Sequence, residues 1–216
     1  MPDTAGTRTT SPDGLPPGAA ALIETSKQLL IDGGMDALRV AKITAAAGQN
    51  RAMVNYYFGS KAAMVAVVVD SLIHEAVEEL VTQAEKLPRG ESRVGAHVEN
   101  TMELMQTPEF LSTIDVIPTA RRSGDLCGRM AKLYEWYREM NAECLDPEAH
   151  EAGTPRLNGL ATLFVALFDG LAIQWSLDPE AMDIDQVTRL LKEMFTFMLR
   201  PEADDSSGPA GVPSED

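Results

Sequence analysis

The stretch AAAGQNRAMVNYYFGSK, residues 45–61, decides the fold. Its helix-forming residues on either side of Gly48 predict two short helices joined by a glycine turn, and Gly59 closes the second helix. A helix-turn-helix of this kind places its second helix in the major groove of DNA. Asn50 can cap that helix, residues 51–58, by accepting a hydrogen bond from an early backbone amide.

The spacing of the side chains gives the second helix a face for packing. Val54 and Phe58 are four residues apart, so both can point into one core. Ile43 and Ala46 of the preceding helix are expected to meet them there.

The opposite face carries side chains suited to DNA. Arg51 can pair bidentately with guanine and Asn55 with adenine. Tyrosine hydroxyl groups and Lys61 suit phosphates, as do free amides at a helix start. The residues expected to contact DNA are Arg39, Lys42, Asn50, Arg51, Asn55, Tyr56, Tyr57 and Lys61. The alternatives are a solvated helix face for the second-helix residues and ordinary surface cations for Arg39 and Lys42.

The distribution of charge agrees with a local DNA-binding face. The chain has a net charge of −15, which argues against binding nucleic acid over its whole surface. Residues 1–66 hold six basic and five acidic side chains, a net charge of +1, so the remainder carries −16. The acidic residues therefore lie away from the helix-turn-helix.

Helical periods cover the rest of the chain, and no strand pattern is found. Ser60 can cap a fourth helix that runs to about residue 86. An all-α fold of nine helices is predicted, and they span residues 20–32, 39–48, 51–58, 60–86, 91–106, 109–123, 125–145, 155–177 and 183–199. The expected domains are a disordered tail at 1–18, a DNA-binding domain at 19–66, a ligand-binding and dimerisation domain at 67–200 and a second disordered tail at 201–216.

One segment carries a resemblance to a known family. GGMDALRVAKITAAAGQNRAMVNYYFGSKAAMVAVV, residues 33–68, resembles the DNA-binding segment of the TetR family of transcriptional regulators. The matching residues are Val40, Ile43, Ala47, Gly48, Tyr56, Tyr57, Phe58, Gly59, Ser60 and Lys61. Arg39 departs from the pattern, because the family usually has Thr or Ser there to cap the second helix and contact phosphate.

The end of the chain has a weaker resemblance to the same family. Residues 167–199 are similar to the last two helices of such regulators, which pair across a two-fold axis as a four-helix bundle. The helix at 160–177 is apolar on more than one face, so it needs two packing partners. A homodimer would satisfy it. The residues expected at the interface are Trp175, Ile184, Val187, Leu191, Met194 and Met198.

Apolar and aromatic side chains of the middle helices are candidates for a ligand pocket. They are His97, Met102, Met105, Phe110, Trp136, Phe164, Phe168 and Asp169. Apolar stripes at helical spacing more often form the hydrophobic core than a ligand pocket. A histidine such as His97 is more often at the surface, or hydrogen-bonded within the protein, than part of a ligand site. Asp169 could bind a ligand cation, or it could be a buried hydrogen-bonded carboxylate or a contact between subunits.

Nothing in the sequence predicts catalysis, a cofactor or a metal site. There is no G-x-S-x-G or phosphate-loop motif, and the three histidines are far apart. Cys127 and Cys144 match no metal-ligand spacing, and two cysteines are too few for a disulfide framework, so a reducing cytoplasm is expected. The N-terminus lacks the features of a signal peptide, and the most apolar run, at 160–168, is short of the ~20 residues of a membrane span.

The resemblance therefore implies a homodimeric, ligand-responsive transcriptional regulator of cytoplasmic location. Such proteins are more often repressors than activators, and a dimer is expected to bind a palindromic operator in double-stranded DNA. An unidentified small molecule would act as effector. The alternative is an all-helical interaction module that has lost specific DNA binding, since the DNA lobe is nearly neutral and the capping Thr is replaced by Arg39.

Overall fold

The structure, a computed structural model, describes residues 14–88 and 90–200. Within those residues it contains eleven α-helices, one short 3-10 helix at Pro179–Ala181 and no strand. The α-helices are α1 Pro17–Ala37, α2 Val40–Ala46, α3 Ala52–Phe58, α4 Lys61–Glu85, α5 Glu91–Leu104, α6 Pro108–Ile114, α7 Ile117–Ala120, α8 Gly124–Leu145, α9 Pro147–Glu151, α10 Pro155–Leu177 and α11 Ile184–Met198. The predicted all-α class is confirmed.

Two more helices are present than the sequence predicted. The predicted helix at 109–123 is divided into α6 and α7, because Pro118 has no amide proton and its ring would clash with the carbonyl of Ile114 in a continuous helix. The short helix α9 was not predicted. Its start is capped by Asp146, whose Oδ1 accepts a hydrogen bond of 3.1 Å from the amide of Ala149.

Helix α1 begins earlier and ends later than expected. Pro17 occupies its first turn, where the missing amide proton costs nothing, so the last two residues of the predicted N-terminal tail are helical. The predicted end at residue 32 is followed by a break inside the helix, since Gly34 has a φ of 59°, and one further turn then reaches Ala37. Residues 1–13 and 201–216, which make up most of the two predicted tails, lie outside the described residues.

Most of the buried apolar side chains belong to two large clusters. The first joins α1–α4 to α7 and α8, and it contains Leu22, Ile23, Leu30, Leu38, Ile43, Val54, Met64, Val65, Val68, Val69, Leu72, Val116, Ala120, Leu126, Met130 and Leu133. The second lies between α5, α6, α8, α10 and α11, and it contains Val94, Val98, Met102, Leu104, Met105, Phe110, Ala142, Leu145, Leu157, Ala161, Phe164, Phe168, Ala172, Leu191 and Phe195. Full burial of each large side chain stabilises the fold by about 1.5–3 kcal/mol.

The predicted packing of the helix-turn-helix holds except at one residue. Ile43 and Val54 are buried and Phe58 is half-buried against the first cluster, as expected. Ala46, however, is exposed. Ala47 packs on the cluster instead, because it lies four residues after Ile43 and so shares its face of α2.

Candidate nucleic-acid interface and ligand cleft

Local hydrogen bonds fix both ends of the recognition helix α3. The Oδ1 atom of Asn50 accepts a hydrogen bond of 2.9 Å from the amide of Ala52, which confirms the predicted cap. Beyond the helix, Ser60 Oγ accepts one of 3.0 Å from the amide of Ala63 and so caps α4. Gly59, between them, has a φ of 76°, a conformation that favours glycine. Residues next to α3 in the sequence therefore determine where the helix begins and ends.

The outward side of α3 is free to meet DNA. Val54 is the only fully buried residue of this helix. Seven of the eight predicted DNA contacts are exposed, namely Arg39, Lys42, Asn50, Arg51, Asn55, Tyr56 and Lys61. Among the described residues, no ion pair involves the side chains of the four cations in that set. Their charges are therefore available to phosphates.

Tyr57 differs from the prediction. Its ring is half-buried against the first cluster, beside the first turn of α1, rather than fully outward. It also makes an edge-to-face contact with Tyr56, with ring centroids 5.0 Å apart. Tyr56 remains 76% exposed, so it is the freer of the two tyrosines. Residue 57 thus packs α3 onto α1.

Arg39 leaves the start of α2 without a side-chain cap. It is the residue before the helix, its backbone is extended, and its side chain accepts no hydrogen bond from the first turn. A guanidinium group has donors only, so it cannot do what Ser or Thr does at this place. Within the described part of the chain, the N-cap residue of α2 therefore supplies no side-chain acceptor to the first amides of the helix.

A cleft lies between α4, α6, α8 and α10. It holds about 310 Å³ of empty space, including its opening to solvent, and its inner part has room for little more than a water molecule. Its walls are formed by Ile73, Phe110, Thr113, Met130, Leu133, Tyr134, Tyr137 and Asp169. Phe110 and Asp169 are the two residues of the predicted ligand pocket that reach it.

The other predicted pocket residues lie elsewhere. His97, Met102, Met105, Phe164 and Phe168 are buried in or against the second cluster, where the rings of His97 and Phe164 stack 4.9 Å apart. Trp136 stacks on His74 with ring centroids 3.9 Å apart. The sequence did not single out Tyr134 or Tyr137. Their signal was the spacing of positions 130, 133, 134 and 137, which places them on one face of α8.

The polar side chains of the cleft are those of Asp169, two tyrosines and Thr113, whose hydroxyl donates to the carbonyl of Phe110. Tyr134 donates a hydrogen bond of 2.7 Å from its hydroxyl to Oδ2 of Asp169. Burial raises the pKa of Asp169 to about 6, and the hydrogen bond from Tyr134 partly opposes that rise. Burial also raises the pKa of Tyr134 and of Tyr137, and the charge of Asp169 raises both further. Both hydroxyl groups therefore stay protonated near neutral pH.

His97 is neutral in this environment. Its Nε2 lies 2.9 Å from Oδ1 of Asn141, which can only accept, so Nε2 carries the proton. Burial lowers the pKa of His97 to about 4, the hydrogen bond to Asn141 raises it, and the charge of Arg93 lowers it again. The Nδ1 atom has no hydrogen-bond partner among the described residues. The side chain is buried in the core and does not reach the cleft.

A second, wider cleft lies on the surface between α5, α8, α9 and α11. It holds about 860 Å³ and includes Glu91, Arg93, Asp146, Glu148 and Arg200 in its lining. Charges of both signs are mixed there, and Arg200 pairs with Glu91 at 3.4 Å. The narrower cleft has the more apolar walls that small-molecule sites usually have.

In the single chain, most of the residues predicted for the subunit interface pack within their own subunit. Leu191 is buried within its own subunit, and Trp175, Ile184, Val187 and Met194 pack on the second cluster, while Met198 is half-buried. The exposed large apolar side chains of α10 and α11 are Leu163, Leu167, Ile173, Leu177, Leu190 and Phe197. We call these six residues the exposed apolar face.

These features define a class of protein, a helix-turn-helix DNA-binding regulator with a separate helical domain. Residues 22–68 match the profile of bacterial regulatory proteins of the tetR family. Residues 93–200 match that of the C-terminal domain of BetI-type transcriptional repressors. The chain belongs to the TetR family of transcriptional regulators, as its resemblance implied.

Solved structures share the fold. A transcriptional regulator from Pseudomonas aeruginosa PAO1 is 23% identical, with 87% of this chain and 93% of that chain covered and a TM-score of 0.67. A TetR-family regulator from Rhodococcus sp. is 15% identical, with coverages of 85% and 99% and a TM-score of 0.67. A regulator from Saccharomonospora viridis, solved in complex with choline, is 19% identical, with coverages of 82% and 94% and a TM-score of 0.63. No curated protein sequence matched the chain.

Proposed function

We propose that the protein is a dimeric repressor that binds a palindromic operator and is released from it by a small-molecule effector. The observation that carries this proposal is the geometry of α3. Its ends are fixed by Asn50 and Ser60, its inner side is buried through Val54, and its outer side presents Arg51 and Asn55. Such a helix can read base edges in the major groove.

The exposed apolar face supports a dimer. Phe197 is 70% exposed on α11 and Leu177 is 81% exposed on α10, and both helices are otherwise packed in the second cluster. Pairing this face with its own copy would bury it and form an isologous interface. It would also place two recognition helices in successive major grooves, ~34–36 Å apart.

The same face accounts for the high hydropathy of α10. This helix is the one in the described chain that is long and apolar enough to cross a membrane by length and composition alone, and a third of its most apolar window is buried. One side of α10 packs on α6 and α8, and the other belongs to the exposed apolar face. We therefore assign its apolar surface to a subunit contact and place the protein in the cytoplasm with its DNA.

The cleft supports regulation by a small molecule. It contacts α4 through Ile73 and α10 through Asp169, and α4 begins at Lys61, directly after the recognition helix. An effector that changes the packing of α4 against α10 would change the spacing of the two recognition helices. The protein is released from DNA if the effector binds the conformation that does not fit the operator more tightly than the one that does. A hundredfold difference in affinity corresponds to about 2.7 kcal/mol. The choline held by the Saccharomonospora viridis regulator supports a small molecule in this role.

The experiment is selection of duplexes from a random DNA pool by the purified protein at near-physiological salt. We expect one palindrome to be enriched, with half-sites about one helical turn apart. Enrichment of a single half-site would contradict the dimeric arrangement. No enrichment by protein that is shown to be free of small molecules would favour the alternative, an interaction module without specific DNA binding.

A further inference from the structure

A buried lysine joins the DNA-binding domain to the part of α4 that lies beyond it. Lys27 is on α1, and its side chain is 7% exposed. Its Nζ atom donates to Oε1 of Glu75 on α4 at 2.5 Å, and Oγ of Ser71 donates to the same oxygen at 3.0 Å. A buried cation is costly unless an opposite charge accompanies it, so the burial of Lys27 favours this contact.

This ion pair differs in kind from the other contacts between the two helices. Between described residues, no second ion pair connects α1, α2 or α3 to the rest of the molecule. Elsewhere α1 and α4 meet in the first cluster, to which they contribute apolar residues such as Leu22, Leu30, Val68 and Leu72. Apolar contacts are non-directional, so they allow packed helices to slide by small amounts. The ion pair supplies a fixed point that such contacts lack.

The ion pair lies far along α4 from the recognition helix. Glu75 is about 21 Å from Lys61, the first residue of α4, at a rise of about 1.5 Å per residue. The DNA-binding domain is thus attached to α4 at two separated places, through the turn at Gly59 and Ser60 and through Lys27. Two separated attachments fix an angle between α1 and α4 that either one alone would leave free.

From these contacts we infer that Lys27 is a positioning residue for DNA binding, whose ion pair with Glu75 fixes the orientation of the recognition helix relative to α4. In the dimer of the proposed function, on which this inference rests, that orientation sets the distance between the two recognition helices. Ile73, which lines the narrower cleft, is two residues from Glu75. The ion pair therefore lies where a change in the cleft would reach it.

Glu24 provides a matched control, because it contacts the same lysine without joining two helices. Its Oε1 atom lies 3.0 Å from Nζ of Lys27, and both residues belong to α1. The side chains of Glu24 and Glu75 are 67% and 53% exposed, so either can be replaced by glutamine without burying an unpaired amide. A lysine that needs only a counter-ion would respond equally to both substitutions, whereas a positioning role requires Glu75 in particular.

The test measures the affinity of the full-length protein for the selected operator and for two operators with half-sites one base pair closer or farther apart. We expect Glu75→Gln and Lys27→Met each to bind the selected operator at least fivefold more weakly, with a similar fall in the preference for its spacing. The double variant should lose little more, because both substitutions remove one contact. Glu24→Gln should keep the wild-type affinity and spacing preference. An unchanged spacing preference in Glu75→Gln, or equal losses in the two glutamine variants, would overturn the inference.

A second measurement uses no DNA and so separates the inference from the proposed function. Spin labels at Ala46→Cys on α2 and Glu139→Cys on α8, in a Cys127→Ser background, report the orientation of the DNA-binding domain as a distribution of distances. Labelled protein is diluted with unlabelled protein so that each pair of labels belongs to one chain. We expect Glu75→Gln to shift or broaden the distribution and Glu24→Gln to leave it unchanged. An unchanged distribution in Glu75→Gln would overturn the inference, whereas failure of the operator selection alone would contradict only the proposed function.

Discussion

The hydroxyl of Tyr57 occupies the space where a side chain on Gly18 would lie. A Cβ atom on Gly18 would be 2.7 Å from that oxygen and 3.2 Å from the nearest ring carbons. Such contacts are too short, so the ring would have to move. The absence of a side chain at residue 18 therefore lets the ring of Tyr57 pack directly against the start of α1.

Gly18→Ala is expected to weaken operator binding by several-fold, because a displaced Tyr57 shifts α3 relative to α1. The measurement is a titration of the selected operator, with circular dichroism to show that helix content is unchanged. Tyr57→Phe removes the oxygen that makes the shortest contact, so adding it to Gly18→Ala should restore part of the loss. If the effects of the two substitutions on the free energy of operator binding are additive, the contact between residues 18 and 57 does not couple the two helices.

The exposed apolar face makes a prediction about the oligomeric state. Phe197→Glu places a charge on a side chain that is 70% exposed in the single chain, so the monomer should tolerate it. In a dimer the same charge would be buried without a partner and would cost several kcal/mol. We expect sedimentation to show a monomer, with operator affinity reduced at least tenfold.

The control for this experiment is Tyr56→Glu. It places the same charge on an exposed aromatic residue of the recognition helix, away from α10 and α11. This variant should remain a dimer even though its binding to DNA is weakened. A Phe197→Glu protein that sediments as a dimer would show that the interface lies elsewhere.

The pKa of Asp169 makes a prediction about stability and pH. Burial raises this pKa from 3.8 to about 6, so the folded state holds the proton more tightly than the unfolded state. Stability from this group is therefore present below about pH 4 and is lost as the pH rises to about 6, a penalty of roughly 3 kcal/mol at most. The facing hydroxyls of Tyr134 and Tyr137 stay protonated throughout this range.

Asp169→Asn should therefore stabilise the protein at pH 7.5, since the amide can still accept the hydrogen bond of Tyr134. We expect its free energy of unfolding in urea to exceed that of the wild type by about 1–3 kcal/mol at that pH. The difference should vanish near pH 4. His97 has a depressed pKa and so destabilises at low pH, but it is present in both proteins and does not affect the comparison. If the two proteins differ in free energy of unfolding by the same amount at both pH values, the pKa of Asp169 does not control the difference.

The parts of the molecule set by local interactions were predictable from sequence. Asn50, Gly59 and Ser60 act on backbone groups within three residues of themselves, so their effects can be seen without a tertiary structure. The bounds of α3 and the start of α4 followed from them. The effect of Pro118 is also local, so the division of the predicted helix at 109–123 into two helices could have been predicted, but it was not.

The parts set by packing between helices were not predictable in the same way. Helix α11 carries two apolar stripes, one with Ile184, Val187 and Leu191 and the other with Leu190 and Phe197. Either stripe could have faced the core, and the structure places the first one there. Likewise, nothing local distinguishes Phe110, which lines the cleft, from Phe164, which fills the core.

The central claim is that Arg51 and Asn55 read bases, and parallel selections from one random DNA pool test it most directly. The wild type, Arg51→Ala, Asn55→Ala and the control Arg129→Ala, an exposed arginine of α8, would be compared. We predict that the first two variants each lose preference at their own position in each half-site, a loss of about 1–3 kcal/mol, while the control keeps the full palindrome. Selection of the same palindrome with the same preferences by all four proteins would contradict the claim.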